Sequence, residues 1–239
     1  MRRNRFLRDF DISLRTIVSD DRELVSQIRT ILKLPIGEHV TLTDGAGREI
    51  DAAIQSLSSN KVVFERTSEV RVIDTGFPCV LYCAIIKHDR FEYVVQKATE
   101  IGVTEIVPIM SSRTVKRHVR TARLAAIARE AVEQSGQAWM PLIREPITFV
   151  SALHEASDRG GGVVFCDPAG KDIFLHAELL SNKKISLLIG PEGGWDDHER
   201  VAAREAHLSS ASLGNTTLRA DTAAIVAVFI ARNYLCAHS

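Results

Sequence analysis

Residues 79–110 read CVLYCAIIKHDRFEYVVQKATEIGVTEIVPIM, a stretch that predicts a strand, a helix and a second strand in succession. Residues 80–86 form a continuous apolar run, which is typical of a strand covered on both faces. In residues 89–101 the apolar residues recur at helical spacing, and Gly102 ends the helix. Residues 103–110 follow as the second strand. This order predicts an α/β fold with a mostly parallel sheet.

The same alternation of strands and helices continues to the C-terminus. Further strands are predicted at residues 162–166 and 185–189, and further helices at residues 121–137, 173–180, 196–208 and 221–235. We therefore expect residues 73–239 to form one α/β domain.

Residues 1–72 are predicted to form a separate domain, rich in strands and with one helix. The helix is predicted over residues 21–34, with an apolar stripe at Leu24, Ile28, Ile31 and Leu32. Short strands are predicted at residues 39–43, 49–57 and 61–64, with a turn at residues 44–47. Because helices are scarce in residues 1–72, we expect the strands to close into a small β-barrel. Residues 66–77 are the predicted linker to the second domain.

The composition is that of an ordinary globular chain, with 45% apolar and 25% charged residues among 239. Thirty basic residues balance thirty acidic ones, which excludes a globally basic nucleic-acid binder but not a local basic face. No apolar run approaches the roughly 18 residues of a membrane span, and no apolar region follows the basic N-terminus as in a signal peptide. The 4 cysteines lack CxxC spacing and predict buried thiols. We expect a cytoplasmic enzyme without metal or membrane contact.

Basic residues are nevertheless clustered in two segments that contain no acidic residue. The first segment carries Arg2, Arg3, Arg5 and Arg8, and the second, residues 112–123, carries Arg113, Lys116, Arg117, Arg120 and Arg123. Either segment alone is equally well explained as a solvated surface. Two such segments in a neutral protein favour contact with the phosphates of a polyanion.

Three loops at predicted strand ends are candidates for a ligand site, because ligands of parallel sheets bind at the carboxyl ends of strands. In residues 187–195, LLIGPEGGW, three glycines and a proline let the backbone approach a ligand closely. The alternative is a tight turn, although turns rarely need so many glycines. The second loop is residues 213–222, LGNTTLRADT, where Asp221 is also a candidate N-cap of the last helix. The third loop is residues 108–113, PIMSSR.

The first two loops together resemble the closing signature of SPOUT-class methyltransferases and are most similar to the RsmE family. That family methylates N3 of a uridine in 16S ribosomal RNA. Residues 87–103, KHDRFEYVVQKATEIGV, resemble its central helix and the strand that follows, and residues 112–113 and 127–136 resemble its next blocks. Arg5-Phe6 and the turn at residues 44–47 resemble its N-terminal barrel. The resemblance covers most of the chain from Cys79 onward.

The resemblance implies a PUA-like RNA-binding β-barrel over residues 1–72 and a SPOUT domain with a trefoil knot over residues 73–239. It also implies S-adenosylmethionine bound in a bent form, a homodimer whose active site uses both subunits, and 16S rRNA of the small ribosomal subunit as partner. The expected cofactor-binding residues are Leu188, Gly190, Pro191, Glu192, Gly193, Gly194, Leu213, Gly214, Leu218 and Thr222. Phosphate or nucleotide contacts are expected from Arg2, Arg3, Arg5, Arg113, Lys116, Arg117 and Arg120.

Methyl transfer chiefly requires alignment of donor and nucleophile, and uracil N3 is a poor nucleophile until it loses its proton. Arg219 is the predicted catalytic residue, because a guanidinium beside a uracil carbonyl stabilises the anion as it forms. Asp221 is the nearest acidic candidate for a general base. A helix cap and a positioner of Arg219 are the alternative roles for Asp221.

Some positions depart from the family's usual pattern. Asp221 replaces a glutamate, Lys33 and Gln137 replace arginines, and residues 24–27 lack a pair of histidines. Arginine binds phosphate through two donors at once, so the departures at Lys33 and Gln137 bear on RNA contacts.

Alternative functions are methylation of another RNA nucleotide and a non-catalytic RNA-binding module. Residues 163–170, VVFCDPAG, resemble a strand-end motif of Rossmann-type methyltransferases, but the early glycine-rich loop of those enzymes is absent. A hydrolase is disfavoured because the sequence lacks Gly-x-Ser-x-Gly.

Overall fold

The computed structural model describes residues 3–114, 119–176 and 184–238. Its internal contacts divide the chain into two compact units. The first unit comprises Met1–Thr75 together with Val132–Met140, and the second comprises Gly76–Ala131 and Pro141–Ser239. No helix in the described part of the chain is long and apolar enough to cross a membrane.

The first unit is built on a six-stranded sheet. Its strands are β1 (Arg5–Leu7), β2 (Thr16–Ser19), β3 (His39–Thr43), β4 (Arg48–Leu57), β5 (Val62–Arg66) and β6 (Arg71–Val72). Hydrogen-bonded neighbours follow the order β1-β3-β4-β5-β2, and β6 pairs with β4. The strands predicted at residues 39–43, 49–57 and 61–64 are thus confirmed. The predicted linker at residues 66–77 is wrong in part, because β6 lies within it and pairs with the sheet.

The helix of this unit changes its winding half-way. Helix α1 (Arg22–Ser26) begins after Asp21, whose carboxylate accepts hydrogen bonds from the N–H groups of Glu23 and Leu24. It continues as a π-helix at Gln27–Ile31. Leu24 and Ile28 are buried in the core, as predicted, but Ile31 is 72% exposed. The predicted stripe is wrong at Ile31 and at Leu32, which is 38% exposed, because the wider π-turn rotates later residues away from the core.

The second unit contains a seven-stranded sheet. Its strands are β7 (Cys79–Ala84), β8 (Glu105–Met110), β9 (Leu142–Ile143), β10 (Ile147–Thr148), β11 (Gly162–Asp172), β12 (Ile185–Ile189) and β13 (Ser209–Ser212). The order is β10-β8-β7-β12-β11-β13, with β9 paired to β8. Every pairing of these strands is parallel, which confirms the predicted α/β fold.

In the described residues from 76 onward, the α-helices are α2 (His88–Ile101), α3 (Thr121–Ser135), α4 (Phe149–Asp158), α5 (Asp197–Glu205) and α6 (Ala220–His238). Helix α2 ends as predicted at Gly102, which adopts the left-handed conformation at φ 99°. The helix predicted at residues 173–180 is a 3₁₀ turn at Ile173–His176, and residues 177–180 lie outside the described ranges. Strands β9, β10 and β13 and helix α4 were not predicted. The two residues of β9 and of β10 are too few to show a periodicity, whereas α4 buries Phe149, Ala152, Leu153 and Ala156 at a helical spacing that could have been recognised.

Candidate functional site

A cavity of about 460 Å³ opens beside the carboxyl ends of β12 and β13 and beside the middle of β11. Most of its lining comes from residues 189–195, at the end of β12 and after it, and from residues 211–213 and 216–220, from the end of β13 to the start of α6. Residues 166–168 of β11, with Arg90 and Ala223, complete it. Because the three strands are parallel, the segments at their carboxyl ends meet at one edge of the sheet. The volume is typical of a small-molecule site.

Trp195 holds the glycine loop, residues 190–194, against the sheet. Its indole N–H donates to the carbonyl oxygen of Cys166 at 2.9 Å, and its ring stacks on Phe165 with centroids 4.7 Å apart. Trp195 is fully buried. A Cβ at Gly190 would lie 3.0 Å from the Trp195 ring, tighter than nearly all real contacts. Glycine at position 190 therefore lets the loop pack closely on the tryptophan.

Seven of the predicted cofactor-binding residues line this cavity. They are Gly190, Pro191, Glu192, Gly193, Gly194, Leu213 and Leu218. The other three lie outside the lining: Leu188 is buried in the core beneath Trp195, Gly214 is in the loop after β13, and Thr222 is in the first turn of α6. The sequence thus located both loops, whereas only the structure distinguishes the residues that face the cavity.

Arg219 lines the cavity and is held by Asp221. A guanidinium nitrogen of Arg219 donates to one carboxylate oxygen of Asp221 at 3.1 Å. The other oxygen accepts the N–H of Thr222 at 2.9 Å. Helix α6 begins at Ala220, so Asp221 lies inside its first turn and the N-cap interpretation is wrong. An acidic residue in a first turn still interacts favourably with the helix dipole.

Burial keeps the cysteine thiols of the described residues neutral. Cys79, Cys83 and Cys166 are free and buried, as predicted for these thiols. Burial raises the pKa of Cys166 to about 12, and burial with the nearby carboxylates of Glu192 and Asp221 raises the pKa of Cys83 further. Both thiols therefore stay neutral at physiological pH. Within the described residues, no group of histidine, cysteine and acidic side chains could hold a metal ion.

The model of the RNA methyltransferase domain family matches residues 75–232, more than half of the chain. Ribosomal RNA small subunit methyltransferase E of Rickettsia conorii is 30% identical over 208 residues, which cover 85% of this chain and 84% of the relative. The chain belongs to the ribosomal RNA small subunit methyltransferase E family. The predicted resemblance to the RsmE family is thereby confirmed.

Two solved structures are similar to this chain along nearly its whole length. A putative methyltransferase from Legionella pneumophila, in complex with the bound cofactor SAM, has a TM-score of 0.88 and 26% identity, covering 98% of both chains. Ribosomal RNA small subunit methyltransferase E from Neisseria gonorrhoeae, bound to S-adenosyl methionine, has a TM-score of 0.86 and 27% identity, covering 95% of both chains. The mixed α/β fold is thus shared with methyltransferases whose structures contain this cofactor.

Arg113, which is predicted to bind RNA, contacts the glycine loop. Its guanidinium donates to the carbonyl oxygen of Gly193 at 2.7 Å, although the side chain is exposed. Arg120 is exposed just before α3. Arg2, Lys116 and Arg117 lie outside the described residues.

The described N-terminal arginines have acidic partners from other parts of the first unit. Arg5 bonds to Glu49, and only 15% of its side chain is exposed. Arg8 pairs with Asp21 at 2.7 Å and with Glu133 at 2.8 Å. Arg3, half-exposed, bonds to Asp51. The N-terminal segment contains no acidic residue of its own, but in the fold acidic side chains from other segments pair with Arg3, Arg5 and Arg8.

Apart from Asp221, the departures from the family pattern lie in the first unit. Leu24 and Val25 are core residues, and the Gln27 side chain donates to Glu133 at 3.2 Å. Lys33 adopts a left-handed conformation at φ 51°. The backbone carbonyl of Gln137 accepts a hydrogen bond from Arg5 at 3.4 Å.

Two groups in the cavity were missed by the sequence interpretation. Asp167 belongs to the Asp-Pro segment that resembled a Rossmann motif, and this signal at a strand end could have identified it. Arg90 is in the first turn of α2 and also lines the cavity. Among the described residues, its side chain makes no ion pair or hydrogen bond. No local pattern distinguished Arg90 from an ordinary helix surface residue.

Proposed function

We propose that the protein transfers a methyl group from S-adenosylmethionine to N3 of a uridine in 16S ribosomal RNA of the small ribosomal subunit. Family membership and the names of the relatives support ribosomal RNA as substrate. The cofactor in two similar solved structures supports S-adenosylmethionine. The observation that carries the proposal is one cavity lined by both the glycine loop and Arg219.

The lining of the cavity suits the proposed cofactor. Gly190, Gly193 and Leu213 would hold its adenosine through backbone amide and carbonyl groups, because little side-chain bulk stands in the way. Arg90 supplies a cation without a side-chain partner among the described residues, and Asp167 supplies a buried hydrogen-bond acceptor. When bound, S-adenosylmethionine supplies an electrophilic methyl group. The protein's main task is then to align the target base with that group.

Arg219 is the proposed catalytic residue. As N3 of the uracil loses its proton, negative charge spreads onto the neighbouring carbonyl oxygens, and the guanidinium stabilises it there. Asp221 is proposed as the residue that positions Arg219, because the 3.1 Å hydrogen bond fixes the guanidinium at the cavity. Because the Asp221 carboxylate is engaged by Arg219, positioning is proposed in preference to general-base catalysis. The target base must be unpaired or flipped out to reach the site.

We also propose a domain architecture, a dimeric state and a set of phosphate-binding residues. Residues 1–72 would form the PUA-like RNA-binding barrel, and residues 73–239 a SPOUT domain with a C-terminal trefoil knot. The six-stranded sheet of the first unit supports the former, and the motif resemblance supports the latter. Two chains would form a homodimer in the cytoplasm, each contributing to the active site. The proposed phosphate-binding residues are Arg2, Arg3, Arg5, Arg113, Lys116, Arg117 and Arg120. The contribution of Arg5 would be small, because only 15% of its side chain is exposed.

The proposal is tested by nucleoside mass spectrometry. The protein is incubated with S-adenosylmethionine and small ribosomal subunits that lack the modification, and the digested 16S rRNA is searched for N3-methyluridine. We expect N3-methyluridine to form only when protein and cofactor are both present. The same reaction with naked 16S rRNA identifies whether the substrate is the assembled subunit.

Two other results would contradict different parts of the proposal. A different methylated nucleoside would keep the methyltransferase and overturn the uridine N3 assignment. No product and no binding of S-adenosylmethionine by calorimetry would overturn the enzyme and favour an RNA-binding module.

A further inference from the structure

Strand β11 is interrupted by a bulge beside the cavity. Cys166 and Lys171 both pair with Ala211 of β13, so residues 167–170 leave the ladder. Gly170 closes the bulge, since a Cβ at this position would lie 2.6 Å from the backbone nitrogen of Ala211. Bulges often redirect a side chain next to a functional site. This bulge begins with Asp167, which lines the cavity.

The Asp167 carboxylate is buried and held by two hydrogen bonds. One oxygen accepts the N–H of Ala169 at 2.9 Å, and the other accepts the Nε–H of Arg200 at 2.7 Å. Only 4% of the residue is exposed. A carboxylate has about four acceptor positions. Each oxygen therefore keeps an acceptor position that these two hydrogen bonds do not fill.

Arg200 of α5 balances the negative charge of Asp167. Its side chain is about one-third exposed, and its hydrogen bond to Asp167 raises the pKa of the guanidinium. A buried carboxylate that lacks a partner would favour a cationic ligand, because an unpaired buried charge is costly. Since Asp167 already has a cationic partner, it is better suited to neutral donors. Two adjacent hydroxyl groups match its two acceptor oxygens.

We propose that Asp167 binds the 2′- and 3′-hydroxyl groups of a ribose in the cavity, and that Arg200 positions its carboxylate. The inference rests on the proposed function, which supplies a ligand with an adenosine group. Asp167 then selects ribonucleoside ligands over their deoxy counterparts.

The test compares two ligands by isothermal titration calorimetry with the full-length protein. The ligands are S-adenosylhomocysteine and its 2′,3′-dideoxy analogue, which differ only in the two hydroxyl groups. We expect the wild type to bind S-adenosylhomocysteine roughly 10- to 100-fold more tightly, as for hydrogen bonds to a charged group. In Asp167→Ala the ratio of the two dissociation constants should approach one. Asp167→Asn, which keeps the size of the side chain, should reduce the ratio while preserving the thermal unfolding midpoint.

Arg200 is tested through the same ratio of dissociation constants. Arg200→Ala should reduce the ratio, because the carboxylate loses the contact that orients it. Asp197→Asn is the matched control: Asp197 lies 3.6 Å from Arg200 on the same helix and is 97% exposed. This control should keep the wild-type ratio.

The contrary outcomes separate this inference from the proposed function. Equal binding of both ligands by the wild type would overturn the role of Asp167 and leave the proposed function standing. An equal loss of both ligands in Asp167→Asn would also overturn it, because a structural role lowers both affinities together. If the wild type bound neither ligand, the proposed function and this inference would both fall.

Discussion

Arg219 shows how a short-range contact prepares a side chain for chemistry. Its partner Asp221 is two residues further along the chain, and the start of α6 between them brings the two side chains together. The Arg219 side chain is 60% exposed, whereas that of Asp221 is 13% exposed. The aspartate is therefore the anchored member of the pair, and the arginine remains accessible to a substrate.

Replacing Arg219 should slow the reaction without weakening cofactor binding. We expect Arg219→Ala to lower kcat about 100-fold or more, as for the loss of one donor to a developing anion. The dissociation constant of S-adenosylhomocysteine, measured by calorimetry, should not change. Arg219→Lys should be intermediate, because lysine keeps the charge but lacks the planar fork.

The matched control is Arg204→Ala, which removes an exposed arginine in the last turn of α5. This variant should keep the wild-type kcat. A large loss of S-adenosylhomocysteine binding in Arg219→Ala would show that Arg219 serves the cofactor rather than the target base.

The acidic side chains of β4 form ion pairs with several other segments of the first unit. Glu49 bonds to Arg5 of β1 and to Arg71 of β6. Asp51 bonds to Arg71 at 3.0 Å and also to Arg3. Because these residues are far apart in sequence, the ion pairs join strands that the turns do not connect.

The Asp51 contacts predict a pH-dependent stability of the first unit. Hydrogen bonds from Arg71 and Arg3, with their charges, outweigh burial and lower the pKa of Asp51 to about 2. A carboxyl group with a lower pKa in the folded state stabilises the fold above its unfolded pKa of about 4. That stabilisation is lost as the pH falls from about 4 to about 2. We expect about 1 kcal/mol, because Arg71 and Arg3 are 40% and 50% exposed and solvent screens the pairs.

The measurement is urea unfolding of Asp51→Asn and its parent, each carrying Trp195→Phe so that Trp139 reports on the first unit. Asp51→Asn should be less stable at pH 7, and the difference should shrink toward zero near pH 2. Asp172→Asn, an exposed change in β11, should not affect the Trp139 signal. A difference that stayed constant with pH would refute the role of the Asp51 charge.

On the scale of the whole molecule, the formal charge is zero, so attraction to RNA depends on where the charges lie. The described arginines of the N-terminal segment, Arg3, Arg5 and Arg8, have acidic partners. Arg120, by contrast, is exposed at the start of α3. We therefore expect the segment at residues 112–123 to contribute more strongly to phosphate binding.

Arg120→Ala should weaken RNA binding by removing one phosphate contact. The dissociation constant for a 16S rRNA fragment, measured by fluorescence anisotropy over a range of salt concentrations, should rise. The slope of log affinity against log salt should decrease by about 1. Arg204→Ala again serves as the control and should leave the slope unchanged. An unchanged slope in Arg120→Ala would show that this arginine does not contact a phosphate.

Features that depend on neighbouring residues could be predicted from the order of the amino acids alone. The apolar run of β7, the helical stripe of α2 and the stop at Gly102 identified the strand-helix-strand unit. The glycine loop before Trp195 identified one wall of the cavity. These patterns are visible in one segment because they reflect local backbone preference and periodic burial.

Which distant groups meet could not be predicted, because it depends on how the whole chain folds. The bulge in β11 begins at Asp167, which lines the cavity, and Arg200, 33 residues later, bonds to its carboxylate. Glu49 likewise engages Arg5, which is 44 residues away and looked free for phosphate binding. Such contacts follow from strand order and register, which bring together segments whose own sequences carry no sign of the partner.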